Sequence, residues 1–152
     1  GGQSDRERTT WIVTNSSQLN DRFKQLPAIV DILPSIFNHM KISIPDDVKE
    51  EIDGVPFIGP IDLADLTGEK NGNSITLRWK NFNKNKTEEA EIFVSEMNQF
   101  KEGKADVYQK VGKTPLQQEH YNFNVESNSA FYKILVKAPH HFVNVWIVDK
   151  NK

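Results

Sequence analysis

The sequence predicts an α+β fold in which short N-terminal helices precede an antiparallel β-sandwich. Three observations predict it. Apolar residues recur at three- and four-residue steps across residues 16–42, the spacing of one helix face. The runs Ser74-Ile75-Thr76-Leu77-Arg78-Trp79 and Phe131-Tyr132-Lys133-Ile134-Leu135-Val136-Lys137-Ala138 alternate apolar with polar side chains, so each can turn one face to a core and the other to water. Beyond residue 60, short runs of this kind alternate with turn-rich connections, which favours sheet packed on sheet over alternating helix and strand units.

In chain order, the polar start Gly1-Gly2-Gln3-Ser4-Asp5 reads as a mobile end, of the kind left by removal of a tag, a signal peptide or an anchoring cysteine. The apolar helical stripe comprises Leu19, Phe23, Leu26, Ile29, Val30, Leu33, Ile36, Phe37 and Met40. Asn15 to Ser17 offer side-chain acceptors for its first turn, while Pro27 and Pro34 should divide it into two or three short helices. The stripe is expected to cover its own domain or to serve as a docking seam through Leu26, Ile29, Val30, Leu33, Ile36, Phe37 and Met40. A protein partner or a second copy of the chain would then occupy it. Residues 43–53 predict a short acidic helix with Pro45 in its first turn, ended by Gly54. The extended Gly54-Val55-Pro56-Phe57-Ile58-Gly59-Pro60 marks the boundary between a helical segment, 1–54, and a sandwich, 55–152.

The expected strands are Ile61–Leu66, Ser74–Trp79, Glu89–Ser95, Ala105–Val111, Gln118–Val125, Phe131–Lys137 and Phe142–Asp149, with Gly68 to Asn73 as a turn. Ile75, Leu77 and Trp79 should point inward, as should Tyr121, Phe123 and Val125.

On these residues the chain from about 55 to 150 resembles a fibronectin type III domain, a member of the immunoglobulin-like sandwich group. Pro60-Ile61-Asp62-Leu63 resembles the family's proline-led first strand, and Ser74 to Trp79 its second strand with a buried tryptophan. Tyr132 to Ala138 resembles the sixth, and the lack of cysteine agrees with the family. The resemblance implies a non-catalytic binding module of an exported or cell-surface protein. Its ligands would meet connections at one end of the sandwich, here His140, His141 and Phe142, with Phe82 and Lys84 from the connection after the second strand. A structural or assembly subunit, such as a bacterial lipoprotein docking through the helix, is the alternative, and a metal protein using His120, His140 and His141 is the third.

Composition narrows the chemistry. The chain has 152 residues, no cysteine and a formal charge of −2, with no clustered basic surplus for nucleic acid. Without cysteine there is no disulfide, thiolate nucleophile or thiolate zinc site. No apolar run approaches the roughly 18 residues that cross a bilayer. No phosphate loop, nucleophile elbow or paired-histidine motif is present, so neither catalytic residues nor a cofactor nor a metal are expected. Asn15-Ser16-Ser17 and Asn85-Lys86-Thr87 satisfy the glycosylation triplet.

Overall fold

The computed structural model describes residues 11–85, 87–99 and 102–148. The polar start, Lys86 of the second glycosylation triplet and Asp149 at the end of the last expected strand lie outside them. Two antiparallel sheets face each other. One has three strands in the order β1-β2-β5, formed by Leu63–Asn71, Ser74–Asn81 and His120–Asn124. The other has four in the order β4-β3-β6-β7, formed by Gln109–Pro115, Glu89–Ser95, Phe131–Lys137 and Phe142–Val148.

The core lies between the sheets. Leu63, Ile75 and Leu77 from one sheet and Ile92, Tyr132, Ile134 and Val136 from the other are fully buried. Trp79 joins them and donates its indole N–H to the Leu116 carbonyl at 3.0 Å, so the large ring is buried without an orphaned donor. The Tyr132 hydroxyl donates to the Ser127 carbonyl at 2.7 Å and accepts from the Ser129 N–H at 3.0 Å, which closes the connection from β5 to β6.

Strands β3 and β6 keep their expected bounds. Strand β1 does not stop before Gly68 but pairs with β2 down to Asn71 opposite Ser74, leaving only Gly72 and Asn73 in the turn, where Gly72 has a φ of +58°. Strand β4 begins four residues later than expected, because Asp106 is turned inward as a buried side chain instead of continuing a ladder.

The N-terminal segment forms a 3-10 helix at Asp21–Gln25, a 3-10 turn at Ile29–Asp31, helix α1 at Ile32–Met40 and helix α2 at Asp46–Lys49. Asn20, not Asn15 to Ser17, supplies the first cap, its side chain accepting from the Arg22 N–H at 2.9 Å. Pro27 separates the pieces as expected. Pro34 does not, since it falls in the first turn of α1, where backbone N–H groups have no helical partner.

Helix α1 does not cover its own domain with the apolar stripe, one of the two arrangements expected of it. Its buried side is Asp31, Pro34 and Ser35, whereas Ile29, Leu33, Ile36 and Met40 are 72%, 52%, 46% and 62% exposed. Hydrogen bonding explains this. The Asp31 carboxylate accepts from the Val55 N–H at 2.7 Å and the Ala28 N–H at 2.9 Å, and it pairs with Arg22 at 3.3 Å. The Ser35 hydroxyl accepts from the Phe57 N–H at 2.8 Å, and the Asn38 amide donates to the Ile58 carbonyl at 2.9 Å. An extended, buried segment at residues 54–58 has backbone groups to satisfy, and the polar side of α1 satisfies them. The approach is so close that a Cβ on Gly54 would lie 2.0 Å from the Val30 carbonyl oxygen.

Residues 50–52 cross the outer face of the four-stranded sheet. Glu50 pairs with Lys137 at 2.7 Å, and the Asn144 amide donates to the carbonyls of Glu50 and Ile52, both at 3.3 Å. Residues 132–136 of β6 are consequently buried on both faces.

Candidate functional site

Asp62 precedes β1 and is fully buried. A buried carboxylate needs donors, and three come from elsewhere in the chain. Its Oδ1 accepts from the Asn83 amide at 2.6 Å and from His140 Nδ1 at 2.8 Å, and its Oδ2 accepts from the His140 backbone N–H at 2.6 Å. Its carbonyl accepts from the N–H groups of Phe82 at 2.7 Å and Asn83 at 3.1 Å. One residue thus fastens the connection after β2 to the connection between β6 and β7.

His141 is held from the other side. Its Nε2 lies 2.8 Å from the Leu63 carbonyl, which can only accept, so Nε2 carries the proton. Nδ1 then accepts from the Asp62 N–H at 3.4 Å. Burial pulls the His141 pKa below the ordinary histidine value, against the opposing effects of the Leu63 carbonyl and the Asp62 charge. The ring is a neutral structural pin.

The expected contact residues divide into two sets. Phe82, Lys84 and His140 line one open groove of about 300 Å³, with Asn20, Asp21 and Pro60 on its far side. Phe82 packs its ring partly on the core, beneath the Lys80 ammonium at 5.3 Å from the ring centroid. His141 and Phe142 line a separate small pocket of about 60 Å³, shared with His140, Pro34 and Asn38, and Phe142 lies between Lys49 and Lys137 at 5.5 and 4.9 Å from its centroid. A second groove of about 510 Å³ runs from His140 and Pro60 to Phe37, Lys41 and Ile42 at the end of α1. His140 therefore stands on the ridge between the sandwich connections and the helix.

His120 does not join His140 and His141; its Nδ1 lies 2.6 Å from the Gln118 carbonyl, at the first residue of β5. Among the described residues, no group of three or more histidine, aspartate or glutamate side chains could hold a metal ion. Asp46 and Glu50 are engaged with Lys49 and Lys137, and Glu51 with Lys133, so the acidic residues of 46–51 do not converge on one point. No helix among the described residues is long and apolar enough to cross a membrane.

Sequence reasoning missed Asp62 and Asn83. A charged residue between Ile61 and Leu63 at a strand entry is the only trace of them in the sequence, because their partners lie some 20 and 78 residues away. Comparison with protein-family models, with curated proteins and with solved structures finds no match.

Proposed function

We propose that the chain is a non-catalytic protein-binding module of an exported or cell-surface protein, with a fibronectin type III-like sandwich in residues 55–150. The order β1-β2-β5 against β4-β3-β6-β7, the buried Trp79 and the Tyr132 hydroxyl bonded upstream to Ser127 support the family resemblance. That resemblance is also the ground for export. One observation carries the binding reading: His140 lines both grooves, so Phe82 and Lys84 belong to one continuous surface with Phe37, Lys41 and Ile42 at the end of α1. Apolar side chains exposed in a row next to polar loops are the usual composition of a protein contact.

The test uses the full chain as bait in an extract of the cells that make it, beside Phe82→Ala/His140→Ala and Phe37→Glu/Ile42→Glu. A protein held by the wild type and lost from both variants supports a single contact surface. Proteins retained equally by all three baits rule the surface out. Self-docking through α1 is the second reading, favoured by the exposed row Ile29, Leu33, Ile36 and Met40. Sedimentation velocity over a wide concentration range decides it, since a self-docking chain dimerises and its Leu33→Glu/Ile36→Glu variant does not.

A further inference from the structure

Lys133 stands in the middle of an apolar strand and is 1% exposed. Its ammonium group lies 2.5 Å from Asp106 Oδ2 and 2.7 and 2.8 Å from the two Glu51 oxygens. The Asp106 side chain is fully buried, and its other oxygen accepts the Gln99 backbone N–H at 2.5 Å. Walls for this cluster come from Trp146 and Tyr108, whose ring centroids lie 5.1 and 5.7 Å from Nζ. Tyr108 stays a neutral hydroxyl, its pKa pushed up to about 12 by burial. An amine, a carboxyl carbon, a second carboxylate touching the amine and an N–H on the far carboxyl oxygen are thus held together, with the amine and Asp106 buried and Glu51 at the edge of the solvent.

We propose that Lys133 and Asp106 condense into an isopeptide bond, with Glu51 relaying the protons. Glu51 takes a proton from Nζ and passes it to Asp106 Oδ2, and the freed lone pair attacks Cγ of the neutral carboxyl group. Negative charge gathers on Oδ1, where the Gln99 N–H already points, as in an oxyanion hole. Glu51 then takes the next proton from Nζ and passes that to Oδ2 as well. The bond from Cγ to Oδ2 breaks and one water leaves. An ammonium and a carboxylate become a neutral amide plus water, Glu51 ends as it began, and nothing is oxidised or reduced.

Two physical effects favour the step. Holding amine and carboxyl in contact replaces an encounter in solution, and a neutral amide is cheaper to bury than two charges. A third governs its rate. Burial lowers the Lys133 pKa, but hydrogen bonds to Asp106 and Glu51 raise it further, so the resting amine is charged and must first lose its proton to Glu51. The bond therefore accumulates after folding rather than during it. In a chain without cysteine, it would tie β6 covalently to the connection before β4, across 27 residues, as a disulfide would.

Intact-mass spectrometry of the denatured full chain, taken fresh and after long incubation of the folded protein at neutral pH, reads the outcome. The expected mass is one water below that of the sequence, with a branched peptide joining the segments around Lys133 and Asp106 after proteolysis. Glu51→Gln and Lys133→Arg should stay at full mass, with circular dichroism reporting their folding. A wild type that keeps the full sequence mass through the incubation overturns the proposal, whatever the variants do. So does a water loss that maps to Asp53-Gly54, where an aspartyl succinimide would give the same mass change.

Discussion

At the scale of single residues, a few buried polar groups fix where the connections of this molecule lie. Asp62 holds three donors from two connections, and Asp62→Ala would leave the His140 and Asn83 donors facing each other without an acceptor. The expected loss is about 3 kcal/mol, read as a lower urea midpoint at unchanged slope. Tyr132→Phe removes one donor and one acceptor at the corner after β5 and should lose about 1 kcal/mol by the same measurement. His141 makes stability depend on pH. Its folded pKa lies below its unfolded one, so between the two values the unfolded chain binds more protons. Its contribution is complete above the ordinary histidine value and is lost as the pH falls from there through the lowered folded value. Urea midpoints measured across that window should fall more steeply for the wild type than for His141→Gln; parallel profiles would show that His141 does not titrate as described.

At the scale of elements, helix α1 reverses the usual relation between apolar pattern and burial. Ser35→Ala should cost about 1 to 2 kcal/mol, because the Phe57 N–H loses its acceptor in a buried place. Leu33→Glu, in the middle of the apolar row, should change stability by no more than about 0.5 kcal/mol, because the side chain already faces water. Urea unfolding of both variants compares them directly, and the opposite ranking would mean that the apolar row packs on the protein in solution. The contrast also shows what the sequence made legible. Strand β2 was readable because alternation is local and a sheet face imposes it, whereas β6, expected on the same pattern to turn one face to water, is buried on both. The helical stripe was readable as a stripe, but its direction was not. That direction depends on backbone groups at residues 55–58, whose need for partners has no local signature. Lys133 was hidden for a related reason. A lysine between apolar neighbours fits a water-facing position, and the crossing of residues 50–52, with Asp106, Tyr108 and Trp146 around the amine, buries it. Of the expected contact residues, Phe82, Lys84 and His140 line one groove, and the Asp62 anchor joining their connections was invisible.

At the scale of the whole molecule, the sandwich and the N-terminal segment depend on each other to different degrees. Each sheet closes its own ladders, and the core between them draws on β1 to β7 and the chain leading into β1. Removing residues 1–54 takes away none of β1 to β7. It does remove the Asp31 and Ser35 acceptors of Val55 and Phe57, and it takes Glu50 and Glu51 from Lys137 and Lys133. Val55 and Phe57 would become strand-like backbone open to water, and Lys133 would keep only Asp106. The fragment 55–152 should therefore fold, with a loss of about 3 to 5 kcal/mol, most of it from the stripped Lys133 cluster and the freed backbone. Amide NMR spectra of the fragment and the full chain test this residue by residue. Peaks of β2 and β5, whose ladder lies in the other sheet, should overlay. Peaks of residues 55–61 and of the outer face of β6 and β7 should move. A collapsed fragment would show instead that the N-terminal segment is part of the folding core, because the charged groups it brings to the outer sheet face would then be needed for the sheet to form at all.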